Sequence, residues 1–323
     1  MSFAHKIHLL LRKILLGATD LPQAIDVPLH SPQHEVSIWL HGMGEPRDVT
    51  SCHSVACTSP FMFCIGFESA EVQAPDTFQN KQLSLKFLEN TAAQPLLGEI
   101  GIELAAVLPA TDRSLFLFNA VSCANSCISP ARLWAHNLFN AFGNWRSRKA
   151  TGQHVSAHET RCNAVAFFCP RPVVLVSVRD GERGNIFPMN LFGSLGGGYL
   201  AFALNSARQA APLTSRLRQL ALSSVPYSQI AAARALRKNH REPSIDWEQL
   251  SFPTKKSKAF HIPVPEFALR VRELQVEDSR NLGSHTFFLA RIAEEEVFSE
   301  DTEFHMIHGQ YAFYKQSTAT STL

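Results

Sequence analysis

The chain has 323 residues, which by length alone corresponds to about two domains, and 45% of them are apolar, with 23 Phe, enough for a sizeable core. A formal charge of +2 is too small to argue for nucleic acid as a partner. No uninterrupted apolar run approaches the ~20 residues that span a bilayer, and seven cysteines, an odd number without an export signal, point to reduced thiols in a cytoplasmic protein.

In chain order, Met1–Gly17 places Ile7, Leu10, Leu11, Ile14 and Leu15 at helical spacing. Arg12 and Lys13 interrupt that run and spoil a signal-peptide core, so the spacing predicts an amphipathic helix docked on the protein. Cys52, Cys57 and Cys64 with His53, and Cys123 with Cys127, lack the paired short spacings of a structural zinc site. No metal is expected, and Cys64 reads as a small buried hydrophobe. Ser129 and Pro130 predict a helix start, with Leu133, Trp134, Leu138, Phe142 and Trp145 as its apolar face and Arg146–Lys149 as the beginning of an exposed linker.

Strands dominate the second half. Val173–Arg179 is rich in β-branched residues and ends at Asp180-Gly181, a hairpin signal. Asn185–Phe192, a turn at Gly196-Gly197-Gly198, Tyr199–Leu204, Arg218–Val225, Leu269–Val276 and Thr286–Ala293 continue the pattern. Tyr227–His240 has helical periodicity, Lys255–Lys258 reads as a polar loop, and the Ser/Thr-rich tail from Gln316 as disordered. Short strands with one intervening helix describe a small barrel with helical insertions, not alternating βαβ units.

The chain also resembles itself. Shifted by 137 residues, Val36–Leu88 aligns with Val173–Val225 without a gap and with 11 of 53 positions identical, among them Gly44/Gly181, Pro75/Pro212 and Leu85/Leu222. A second block, Ser114–Val121 against His285–Ile292, follows at an offset of 171. Two tandem copies of one unit are therefore expected, the second enlarged by the segment that contains Tyr227–His240.

The second copy carries a family resemblance. Arg171-Pro-Val-Val-Leu-Val-Ser-Val-Arg-Asp-Gly181 followed by Asn185-Ile-Phe-Pro-Met-Asn190 resembles the opening of flavin reductase-like, FMN-binding split barrels. Gly283-Ser-His-Thr-Phe-Phe288 is similar to that family's Gly-Asp-His-Thr strand, and His308-Gly-Gln-Tyr311 to its closing segment. The resemblance implies a mainly β protein with helical insertions, built as two tandem FMN-binding split barrels that form a pseudo-dimer within one chain. The expected boundaries are a degenerate barrel with its N-terminal helix over 1–128, a helical and basic linker over 129–160, the flavin reductase-like barrel over 161–315, and a disordered tail over 316–323.

The resemblance implies flavin contacts at Asn185, Pro188, Met189, Asn190 and Leu191, and phosphate contacts at Asn205, Ser206, Ala207 and Arg208. Physical chemistry supports such a site. An isoalloxazine needs an apolar slot with polar groups along one edge, and Pro188 marks a strand whose backbone groups are not all used in a ladder. Asn185 and Asn190 donate and accept, and Arg208 supplies a cation for phosphate. The plainer readings are core packing for Met189 and Leu191, and a solvated surface charge for Arg208. His285 reads either as a catalytic donor near the ring or as an inward strand histidine. Three positions depart from the family pattern: Asn190 replaces Ser, Ala210 or Ala211 replaces Thr, and Ser284 replaces Asp. In the first copy Asp48, His53, Glu68 and Glu71 stand at the positions of Asn185, Asn190, Asn205 and Arg208. Carboxylates there would repel a phosphate, so one flavin site per chain is expected.

The expected function is transfer of hydride from NAD(P)H to flavin or a flavin-coupled acceptor, with FMN as cofactor ahead of FAD. The partners are then flavin and nicotinamide small molecules, with neither nucleic acid nor membrane, and the chain is a monomeric pseudo-dimer or a homodimer. The alternatives are a flavin-binding module without turnover and an oxidoreductase acting on one organic substrate. No Gly-x-Gly-x-x-Gly fingerprint, Walker loop or Gly-x-Ser-x-Gly elbow occurs.

Overall fold

The computed structural model describes residues 22–30, 35–68, 78, 81–108, 110, 113–138 and 155–321. The expected helix over Met1–Gly17, Phe142, Trp145, the run Arg146–Lys149 and Glu71 lie outside the described residues. Strand β1 (Ile25–Leu29) precedes a first group of seven: β2 (Val36–His41), β3 (Arg47–Asp48), β4 (His53–Thr58), β5 (Phe61–Glu68), β6 (Leu83–Glu89), β7 (Leu96–Leu108) and β8 (Arg113–Asn125). Helix α1 (Ala157–Ala166) and β9 (Arg171–Pro172) lead into β10 (Val174–Asp180), β11 (Arg183–Met189), β12 (Phe192–Gly196) and β13 (Tyr199–Asn205). Then come α2 (Ala210–Leu217), β14 (Gln219–Ser224), α3 (Ile230–Ala235), β15 (Thr254–Lys256), β16 (Pro263–Pro265), β17 (Arg270–Asn281), β18 (His285–Val297), β19 (Glu303–Ile307) and α4 (Gly309–Ser321).

Two seven-stranded sheets result, ordered β3-β2-β6-β7-β8-β5-β4 and β11-β10-β14-β17-β18-β13-β12. The two orders are the same once the β15–β16 hairpin is set aside. All pairings within them are antiparallel, and each sheet curls as half of a split barrel. Burial follows the period-two alternation of a pleated strand. In β6, Leu83, Leu85 and Phe87 face inward while Ser84 and Lys86 are partly exposed.

Strands β5 and β13 break that alternation, because seven and six of their residues respectively are buried. Both of their faces are covered. Phe61, Phe63, Ile65 and Phe67 enter the core of the first half, whereas Met62 and Cys64 enter a cluster with Leu195, Tyr199, Ala201, Phe287 and Leu289 of the second. Leu200, Phe202 and Leu204 fill the second core, where Phe202 stacks on Phe288 with centroids 4.8 Å apart. The shared cluster forms a seam between the sheets. Backbones approach so closely there that a Cβ on Gly66 would lie 2.3 Å from the Leu195 carbonyl oxygen, and one on Gly193 2.2 Å from that of His53. Ser284 N–H donates to the Ser59 carbonyl at 2.8 Å, and the Ser54 hydroxyl to that of Ala201 at 3.3 Å.

The halves also exchange elements. β1 pairs with β19, which pairs with β9. Cys162, Phe168 and Tyr311 belong to the first core, although each follows the expected linker start. Ser156 caps α1 with a full capping box, its hydroxyl accepting from Glu159 N–H at 3.1 Å.

Several expectations need correction. The tail is helical through Ser321, and Lys315 ties it to Glu35 at 2.9 Å. Lys255–Lys258 is not simply a loop, because Thr254–Lys256 pairs with Pro263–Pro265. Asn185–Phe192 divides into β11 and β12 at Asn190 and Leu191. Residues 130–138 are helical, yet Trp134 and Leu138 are 68% and 56% exposed, while Ala135 and His136 are buried. The hairpin at Gly181 and the turn at Gly196–Gly198 form as expected, with positive φ at all four glycines.

Candidate functional site

The end of β11 presents Pro188, Met189 and the following Asn190 to a cavity of about 510 Å³. Val173, Phe304 and Met306 complete an apolar wall, and Asn205 and Arg208 stand beyond the end of β13. The opposite wall is the insertion, where Tyr227–Gln229 is a 3₁₀ turn, α3 follows, and Leu236–Arg241 is again 3₁₀. It contributes Arg234, Arg237, Lys238, His240 and Arg241.

Charge is the cavity's plainest property. Arg234 is ion-paired with Asp26 of β1. Arg208, Arg237, Lys238 and Arg241 have no carboxylate in ion-pairing range among the described residues, and no carboxylate is among the lining side chains. Four cations without a carboxylate partner among the described residues, around an apolar slot, have the chemistry to hold an anion attached to an apolar body.

The insertion is fixed by a reciprocal amide clamp. Asn185 Nδ2 donates to the carbonyls of Asn239 at 2.9 Å and Glu242 at 2.8 Å, and Asn239 Nδ2 donates to the Ile186 carbonyl at 2.8 Å. His240 Nε2 lies 2.7 Å from the Pro188 carbonyl, so that nitrogen carries the proton. Burial, then the Arg208 and Arg237 charges, push the His240 pKa down against the opposing pull of that carbonyl, which keeps the ring neutral.

Pro188, Met189, Asn190, Asn205 and Arg208 thus meet around one cavity. The other five expected site residues do not line it. Asn185 is fully buried, and its amide is spent on the insertion. Leu191 turns into the core of the first half. The Ser206 hydroxyl meets that of Thr286 at 3.1 Å, and the exposed Ala207 donates its N–H to Asn205 Oδ1 at 2.9 Å. His285 is buried in the seam, with Nδ1 2.8 Å from the Ser284 hydroxyl and 3.4 Å from that of Thr58 in the first half. Burial pulls its pKa down to about 4. His285 is therefore placed inward, against the hydroxyls of Ser284 and Thr58. The Pro188 carbonyl is taken by the His240 side chain.

Sequence reasoning missed the basic wall. Its signal was present in four cations among the eight residues 234–241.

Residues 167–317 match the family model described as the flavin reductase like domain. No curated protein matches the chain. Among solved structures, the NADH:FAD oxidoreductase of Streptomyces globisporus C-1027 is 19% identical, with TM-score 0.41, over 46% of this chain and 88% of that one. The flavin reductase component of a bacterial two-component tryptophan halogenase is 16% identical, with TM-score 0.40, over 46% and 92%. An FMN-binding protein from Thermus thermophilus is 22% identical, with TM-score 0.36, over 40% and 73%.

Proposed function

We propose that residues 167–317 bind FMN in the cavity at the end of β11 and that the protein transfers hydride from a nicotinamide cofactor to it. One observation carries this reading: an apolar wall of Val173, Met189, Phe304 and Met306 faces unpaired cations across a space of about 510 Å³, within the size range of cofactor pockets. These residues fit a flavin. Its ring system matches the apolar wall, its polar edge the backbone and amide of Asn190, and its phosphate Arg208 together with the insertion cations. Flavin, when bound, supplies the hydride chemistry that side chains lack. The protein's part is then binding, orientation and exclusion of water. Asn185 and His240 hold the two walls in register through the Asn239, Glu242 and Pro188 carbonyls.

The matching strand orders support a further part of the reading. The chain is a duplicated barrel in which the first half occupies the place of a second subunit. Glu68 at the end of β5 stands in register with Asn205 and disfavours a second phosphate site.

A flavin-binding role without turnover is the second reading, favoured by the seam position of His285. Spectra of the purified protein test both. Flavin absorbance that bleaches with anaerobic NADH or NADPH is the expected result. Bound flavin that does not bleach leaves the binding module, and no flavin uptake refutes the site.

A further inference from the structure

A second cavity, of about 540 Å³, opens along the seam. Both halves build it, the first through Ser51, His53 and Val55, the second through Arg171, Phe192 and Leu200.

Arg171 is its unusual member. It is only 8% exposed, its guanidinium lies 3.8 Å from the centroid of the Phe167 ring, and Nη2 donates to the Ala166 carbonyl at 3.2 Å. No carboxylate among the described residues reaches ion-pairing distance of it. Burial lowers its pKa to about 10, so it stays charged at neutral pH. A buried charge without a counter-ion is costly and calls for an anion.

The other charges of the wall cancel. Arg270 and Arg272 both reach Glu295, at 3.4 and 3.0 Å, and Glu303 stands on the same wall. His53 is neutral. Its Nδ1 lies 2.9 Å from the Val49 carbonyl and 3.1 Å from that of Thr50, so Nδ1 carries the proton, and burial pulls its pKa down to about 4. One net positive charge remains, on Arg171. The two carboxylates would repel a dianion, which selects a monoanion, and Val55, Phe192, Leu200 and Ile292 supply apolar surface for its body.

We propose that this seam cavity is a second binding site, for a small apolar monocarboxylic acid, with Arg171 as the counter-ion of its carboxylate. The first half thereby contributes directly to a ligand site. The inference stands independently of the flavin reading, because it concerns a different cavity.

Titration of the full chain with 2-naphthoate and its neutral analogue 2-naphthylmethanol tests it, by calorimetry and by the ring resonance of His53, assigned through His53→Gln. Naphthoate is expected to shift that resonance and to bind about 10- to 100-fold more tightly than the alcohol, as a charge-assisted hydrogen bond implies. That preference should vanish in Arg171→Met and persist in Arg208→Ala. Should Arg171→Met fail to fold, Arg171→Lys keeps the charge, loses the fork, and should weaken naphthoate several-fold. Equal binding of acid and alcohol, an unmoved His53 resonance, or loss in Arg208→Ala but not in the Arg171 variants would overturn the proposal.

Discussion

Arg208→Ala separates a phosphate anchor from an ordinary surface charge. Arg208 lines the cavity with no carboxylate in ion-pairing range among the described residues, so its removal strands no partner. Stability should change by no more than about 0.5 kcal/mol, as for other substitutions without a structural partner. A charge-assisted hydrogen bond contributes about 1.5–3 kcal/mol, which at about 1.4 kcal/mol per decade is roughly a 10- to 150-fold weaker Kd for FMN. Arg234 is the internal control, because its charge is already met by Asp26. Arg234→Ala should weaken FMN less than about 3-fold, since an exposed ion pair contributes little and one already satisfied has little left to give. Flavin fluorescence titration of the apoprotein reads both values. An Arg208→Ala protein that binds FMN as the wild type does, or an Arg234→Ala protein that loses more, would refute the phosphate assignment.

Asn185→Ala should loosen the clamp on the insertion, costing about 1–3 kcal/mol through the Asn239 and Glu242 carbonyls it leaves unmet, and weaken FMN without any direct contact; urea unfolding and flavin titration measure the two effects. Gly193→Ala, whose Cβ would fall 2.2 Å from the His53 carbonyl oxygen, should destabilise the seam by about 1–3 kcal/mol, read as a lower urea midpoint. His285→Asn should leave FMN affinity within about twofold, since His285 does not line the cavity; a large fall in hydride transfer at unchanged affinity, followed by stopped flow, would return it to a catalytic role. Acid should destabilise the fold early. Burial lowers the pKa of His53, His285 and His305 to about 4 and of His308 to about 3. The unfolded chain binds protons first, so the stability these neutral rings contribute is fully present above about pH 6.5 and is lost as pH falls toward 4, at about 1.4 kcal/mol per unit for each ring. Chemical denaturation between pH 7 and 5 checks the sign, and a flat profile would contradict it.

How far the fold was legible in the sequence depends on the range of the interactions that set it. Hairpins and turns are local, and Asp180-Gly181 and Gly196–Gly198 are read correctly because a glycine at positive φ is nearly a sufficient cause. The equal strand order of the two halves is long-range, yet the gapless self-alignment of Val36–Leu88 with Val173–Val225 pointed to it. What escaped depends on packing between distant segments. Leu191 follows Asn190 by one residue in the break between β11 and β12, yet Asn190 lines the cavity and Leu191 enters the first core. Asn185 looked like a cofactor ligand because its amide can both donate and accept; both its donor contacts go to an insertion more than fifty residues away.

The same limit governs His285 and the basic wall. No local feature says that His285 meets Thr58 across the seam, since that contact exists only because two sheets pack face to face. The cations of 234–241 were visible as composition, but their convergence on Pro188 requires the Asn185–Asn239 clamp that folds the insertion back over β11. The motif residues therefore line one wall of the cavity, and tertiary packing supplies the opposing one. Three of the four unpaired cations, Arg237, Lys238 and Arg241, sit on that second wall and Arg208 on the first, so affinity for an anionic cofactor should depend on the insertion as well as on the strand ends opposite it.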